Sequence, residues 1–96
     1  MGEPALLDPA RHLAAAPPAE PVPSVGRTVL YRPTPAERIG RGSGEYWPAV
    51  ITRVWSPTMV NLQVLADAGP PFAVTSVGQE RSGDAPERRW RWPART

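Results

Sequence analysis

Residues 46–65 read YWPAVITRVWSPTMVNLQVL, two runs rich in β-branched and aromatic residues joined at Ser56-Pro57-Thr58. Val50, Thr52 and Val54 alternate with Ile51 and Arg53, and Val60, Leu62 and Val64 alternate with Asn61 and Gln63. A period of two belongs to a strand with one face buried, and it makes a helix a poor fit here. The segment predicts two strands and a tight turn, with Val50, Thr52 and Val54 sharing one face. Pro48 has no N–H to give, so it is expected at a sheet edge or a bulge. Asn61, if turned inward, needs its amide satisfied by backbone of the first loop.

Working outward, Thr28 to Arg32 and Phe72 to Val77 read as further strands, and Arg89 to Pro93 as a short last one. A long loop holding Pro33, Pro35 and the glycine-rich RIGRGSGE of residues 38–45 follows the first strand; the later turns are short. Five short strands in this rhythm predict an all-β fold, a small SH3-like five-stranded barrel over residues 25–96. An open, strongly bent sheet is the alternative.

Residues 1–24 form a separate N-terminal arm, rich in proline and alanine. Asp8-Pro9 is a helix-start signal, since the carboxylate accepts from free backbone N–H groups and proline fits the first helical position. A short helix is expected over residues 9–16, stopped by Pro17 and Pro18, and PPAEPVP then continues as an extended strap. So short a helix needs a surface to lie on, which makes Leu6, Leu7 and Leu13 the expected anchors on a partner. The plain reading of this composition is a tail without fixed structure.

The chain has 96 residues, a net charge of +2, and eleven basic side chains that are all arginine. Setting the arm aside leaves about seventy residues, near the lower size for a self-sufficient core. With no cysteine, disulfides, thiolate metal sites and cysteine nucleophiles are excluded. The single histidine, His12, lies in the arm, away from any candidate pocket. Asp67 and Asp84 fall in turns, where aspartate bonds local backbone, and RIGRGSGE lacks the Lys-Ser or Lys-Thr of a phosphate loop. No catalytic residue, cofactor or metal is therefore expected. No apolar run approaches a membrane span, and the start of the chain does not resemble a secretory signal, so a soluble, unprocessed chain is expected.

Four tryptophans are many for so small a domain. At least one of Trp47 and Trp55 is expected in the core, where a ring supplies apolar area that nothing else provides. Trp90 and Trp92 alternate with Arg89 and Arg91, which predicts an aromatic ridge backed by a basic one, suited to a protein partner; a strand closing the barrel fits equally well. The same Arg-Trp interleaving would also suit single-stranded nucleic acid, although a net charge of +2 gives a weak electrostatic footprint.

Two resemblances follow from these motifs. Gly26 to Tyr31 together with YWPAVI resembles the Tudor and PWWP barrels, which would imply an aromatic cage of Tyr31, Tyr46 and Trp47 for a methylated cation. A broader one runs through VGRTVLYR, PAVITRVW, VNLQVLAD, TSV and WRWPAR, which resembles a family of small tailed-phage and prophage proteins. Its layout, V-G-x-x-V-x-Y, P-A-x-[IV]-x-x-V, V-N-L-x-V and W-x-W-P, is met at Val25, Gly26, Val29, Tyr31, Pro48, Ala49, Ile51, Val54, Val60, Asn61, Leu62, Val64, Trp90, Trp92 and Pro93. The arm lies outside it. The resemblance brings no catalytic residues and implies an accessory structural protein of the virion, assembled in the host cytoplasm. Capsid or other virion subunits in a symmetric assembly would be its partners. A small phage protein that binds and inhibits a host factor is the alternative.

Overall fold

A computed structural model describes residues 21–82 and 87–94. The expected helix over residues 9–16 and the anchors Leu6, Leu7 and Leu13 lie outside the described residues. Five strands appear: β1 Thr28–Arg32, β2 Trp47–Val54, β3 Met59–Val64, β4 Phe72–Gln79 and β5 Arg89–Arg91, with one short helix, α1 Pro35–Arg38, between β1 and β2. They pair in chain order and close into a barrel, so the open sheet is excluded. Neighbouring strands are antiparallel except at the closure, where β5 runs parallel to β4 through Gly78↔Arg89 and Gln79↔Trp90 and antiparallel to β1 through Tyr31↔Trp90. Closure leaves no sheet edge open along the long strands, the usual route to unwanted strand pairing.

Alternation fills the interior. Val29 and Tyr31 from β1, Trp47, Ala49 and Ile51 from β2, Val60, Leu62 and Val64 from β3, Val74 and Val77 from β4, and Trp90 from β5 are all buried. The face expected for β2 is therefore reversed: Ile51 points in, whereas Thr52 is exposed and Val50 only half-buried. Within residues 50–54 both parities offer a β-branched side chain, and Trp47 and Ala49, on the parity of Ile51, bring that face inward. A shift in pairing between Ile51 and Arg53 then breaks the alternation, and Val54 packs against the core after all.

Pro48 sits at neither an edge nor a bulge. It pairs with Leu30 on one side, and on the other the β2–β3 ladder starts one residue later, at Ala49↔Val64. The Leu65 N–H donates to the Pro48 carbonyl at 2.8 Å, so the missing proline N–H falls at the end of the ladder, where it costs least. A second irregularity lies between β3 and β4: Val60↔Val77 and Leu62↔Val74 leave Asn61 opposite both Thr75 and Ser76. Ser76 adopts φ 55°, a left-handed value for a non-glycine residue. Such bulges bend and twist a strand, which lets short strands close a small barrel.

The long first loop is built from named bonds. Thr34 caps α1 in a reciprocal box: its hydroxyl accepts from the Glu37 N–H at 3.1 Å, and its own N–H donates to Glu37 Oε1 at 2.9 Å. Further on, the Ser43 N–H donates to Asp67 Oδ2 at 3.0 Å and the Ala68 N–H to the Arg41 carbonyl at 2.8 Å. Asp67 thus ties its turn to a loop 24 residues away, not to local backbone as its place in a turn suggests. Gly42 makes this possible, because at φ +91° a Cβ there would meet Asp67 Oδ2 at 2.3 Å.

Leu62 is 1% exposed in the middle of this core. Leu62→Ala is expected to lower the unfolding free energy by about 2–4 kcal/mol, read from urea denaturation; a neutral result would contradict the burial of β3.

Candidate functional site

The residues singled out near the end of the chain do not form an exposed ridge. Trp90 is fully buried, its indole N–H donating to the Thr58 carbonyl at 3.1 Å, and Trp92 packs edge-on to it with centroids 5.3 Å apart. The ring of Trp90 fills the closing gap between β4 and β1, so this strand completes the barrel and its first tryptophan is not available to a partner. Trp92 is half-buried, with the Arg27 guanidinium 5.1 Å from its centroid. Arg89 is half-buried and Arg91 exposed. Arg91 lies 4.8 Å from the centroid of Tyr46, donates to its hydroxyl at 3.3 Å and sits 3.9 Å from the Glu80 carboxylate. The Tyr46 hydroxyl in turn donates to Glu80 Oε1 at 2.7 Å.

No open aromatic cage exists at Tyr31, Tyr46 and Trp47. Tyr31 and Trp47 are core residues, and Tyr46 is flanked by its own cations, Arg91 and Arg32. The polar atoms of these core rings hold the first loop: the Trp47 indole N–H donates to the Ser43 carbonyl at 2.8 Å, and the Tyr31 hydroxyl donates to Glu37 at 2.8 Å. Burial raises the Tyr31 phenol well above its ordinary value, and its bond to the Glu37 carboxylate adds to the rise.

The most exposed tryptophan is one the sequence left undecided between core and surface. Trp55 is 52% exposed, just beyond the end of β2, yet its ring is fixed. Its indole N–H donates to Asn61 Oδ1 at 2.8 Å, and the same oxygen accepts the Ser76 N–H, freed by the bulge, at 2.9 Å. Asn61 therefore lies on the outer surface and serves β4 and Trp55, not the first loop. The Arg53 guanidinium lies 3.9 Å from the Trp55 centroid. Below the ring, the Trp55 N–H donates to the Met59 carbonyl at 2.9 Å, and Ser56 Oγ accepts from the N–H groups of Thr58 and Met59 at 3.2 and 3.1 Å. The signal for this arrangement was present in R-V-W-S-P-T and in Asn61, but a pairing shift that faces Asn61 with Ser76 is not visible in one strand's pattern.

Five of the seven aromatic rings carry a guanidinium of this chain: Trp92, Tyr46, Trp47, Phe72 and Trp55. The two without one among the described residues are Tyr31 and Trp90, both fully buried. Arginine, planar and weakly hydrated, stacks where lysine would not, so these cations serve the barrel's own surface before any external phosphate. A shallow groove of about 240 Å³ is lined by Thr58, Gly78, Gln79, Arg81 and Arg89, and holds no carboxylate or imidazole for acid–base work among its lining residues. Among the described residues no group of three or more His, Cys, Asp or Glu is placed to hold a metal, and no helix is long and apolar enough to cross a membrane. Asp84 lies outside the described residues. Comparison with known proteins brings no match: no family model, no curated protein and no solved structure matches this chain.

The neutral phenol of Tyr31 is favoured in the folded state, so its contribution is complete below the unfolded value of about 10 and is lost as pH rises beyond it. Stability measured by denaturant titration is expected to fall more steeply above that pH in the wild type than in Tyr31→Phe. Equal slopes would place the phenol in water.

Proposed function

We propose that this chain is a non-enzymatic accessory structural protein of a phage particle, decorating the capsid or another head- or tail-associated component. The observation that carries this reading is that the barrel is filled by its own side chains while its most exposed large ring, Trp55, is held rigid on the outside. A body with a packed interior and a preorganised exterior is suited to docking, since little side-chain entropy remains to be lost there on binding.

The phage layout falls largely on the barrel's interior. Val29, Tyr31, Ala49, Ile51, Val60, Leu62, Val64 and Trp90, eight of its positions, are core residues, so the layout describes a barrel of this type. Around a symmetric shell, many copies of a modest contact add through avidity, and the arm, with Leu6, Leu7 and Leu13, would extend each contact to a neighbouring subunit. The nucleic-acid reading is weakened because Trp90 is buried and Arg91 is engaged with Tyr46 and Glu80.

Mass spectrometry of purified particles from a host carrying this gene tests the proposal. A copy number in fixed proportion to the major capsid protein or to a tail component is expected. Absence from particles, with the protein abundant in the lysate, would overturn it in favour of a host-directed inhibitor.

A further inference from the structure

Charge is unevenly spread over the barrel. From Tyr46 to Ala66 and again from Ala68 to Gln79, the chain carries one charged side chain, Arg53. These stretches supply β2, β3 and β4, and pairing sets Val50 beside Gln63, Gln63 beside Ala73, and Arg53 beside Asn61. Their outward side chains thus make a continuous face with a single charge, Arg53, bordered by the exposed Trp55 at 52% and Met59 at 39%. The remaining strands and loops hold the charged groups: Arg32 bonded to Glu45, Arg91 beside Glu80, and Arg38 and Arg41 in the first loop. Soluble surfaces ordinarily intersperse both signs of charge. The buried centres of protein interfaces are depleted of charge and enriched in tryptophan, methionine and arginine; here charge is sparse, and Trp55, Met59 and Arg53 stand together at one end of the face.

We propose that the outer face of β2, β3 and β4 is the docking face, anchored by Trp55, and that its occupant is a different protein presenting an uncharged surface with one carboxylate opposite Arg53. This deepens the docking reading above and rests on it. Charge selects the occupant. A second copy meeting this face with its own would bring no carboxylate to Arg53, because the face has none. Nucleic acid would find a single guanidinium, already stacked on Trp55, across three strands, too little to neutralise a run of phosphates. Strand addition is closed off because β2, β3 and β4 each have two strand neighbours. The bulge at Ser76 fits the same role: it supplies the N–H that pins Asn61, and Asn61 pins the ring.

Site-specific photo-crosslinking of the full chain in host cells during phage growth tests this. A photoreactive residue is placed at position 50 or 75 on the face and, for comparison, at position 91 on β5. A heterologous adduct is expected from positions 50 and 75 and not from 91. Arg53→Glu should reduce its yield at least about tenfold, as should Thr75→Arg, at a side chain that takes no part in the bonds from Asn61 to Trp55 and Ser76. Replacing the partner's carboxylate at the crosslinked site by arginine should restore the adduct to Arg53→Glu. A virion subunit in the adduct supports the face and the virion reading together; a host protein supports the face and overturns the virion reading. Adducts to a second copy or to nucleic acid, adducts from position 91 alone, insensitivity to both substitutions, or no adduct at all overturn the proposed face.

Discussion

Three aromatic rings, Tyr31, Trp47 and Trp90, fill much of the barrel interior, and each brings a polar atom with it. A buried N–H or O–H without a partner is costly, so each of these atoms needs an acceptor. Ser43, Glu37 and Thr58 supply them. The first loop is thereby held at two points and the β2–β3 turn at one. Gly44, at φ 112° beside the Trp47 indole, supplies the left-handed backbone that the loop takes there. Core packing and loop conformation are in this way one problem, solved by the same side chains.

Much of the barrel was legible because strands announce themselves by alternation and turns by proline and glycine. Strand existence came through for all five; facing did not for β2, where V-I-T-R-V is ambiguous and the deciding residue, Trp47, stands three positions upstream. The helix after β1 lies where the sequence reads as loop: Thr34-Pro35-Ala36-Glu37 is a capping box with proline in the first turn, but a four-residue helix makes no periodic pattern. The site was far less legible. Whether Trp55 or Trp47 is buried depends on which parity faces inward, and whether Trp90 closes the sheet or decorates it depends on which strand lies beside it. Both are long-range facts.

The arginines repeat the lesson for charge. Counted along the chain, they look like a basic tail prepared for an anionic ligand. Placed on the barrel, Arg27, Arg32, Arg41, Arg53 and Arg91 lie over rings, covering aromatic carbon that would otherwise face water. The exposed guanidinium edges remain available for carboxylates, as Arg32 shows with Glu45. Basic composition here reflects the covering of a small aromatic core more than a preference for phosphate.

The contact between Arg27 and Trp92 joins the residue just before the first strand to the residue just after the last. The backbone therefore enters and leaves the barrel at one pole, with β1 and β5 side by side. Joining these two points by a short linker and cutting the chain elsewhere would preserve every strand pairing, so the barrel is a natural candidate for circular permutation. The same arrangement means that the chain enters β1 and leaves β5 at neighbouring points, so a partner fused at either junction would start from one place on the barrel.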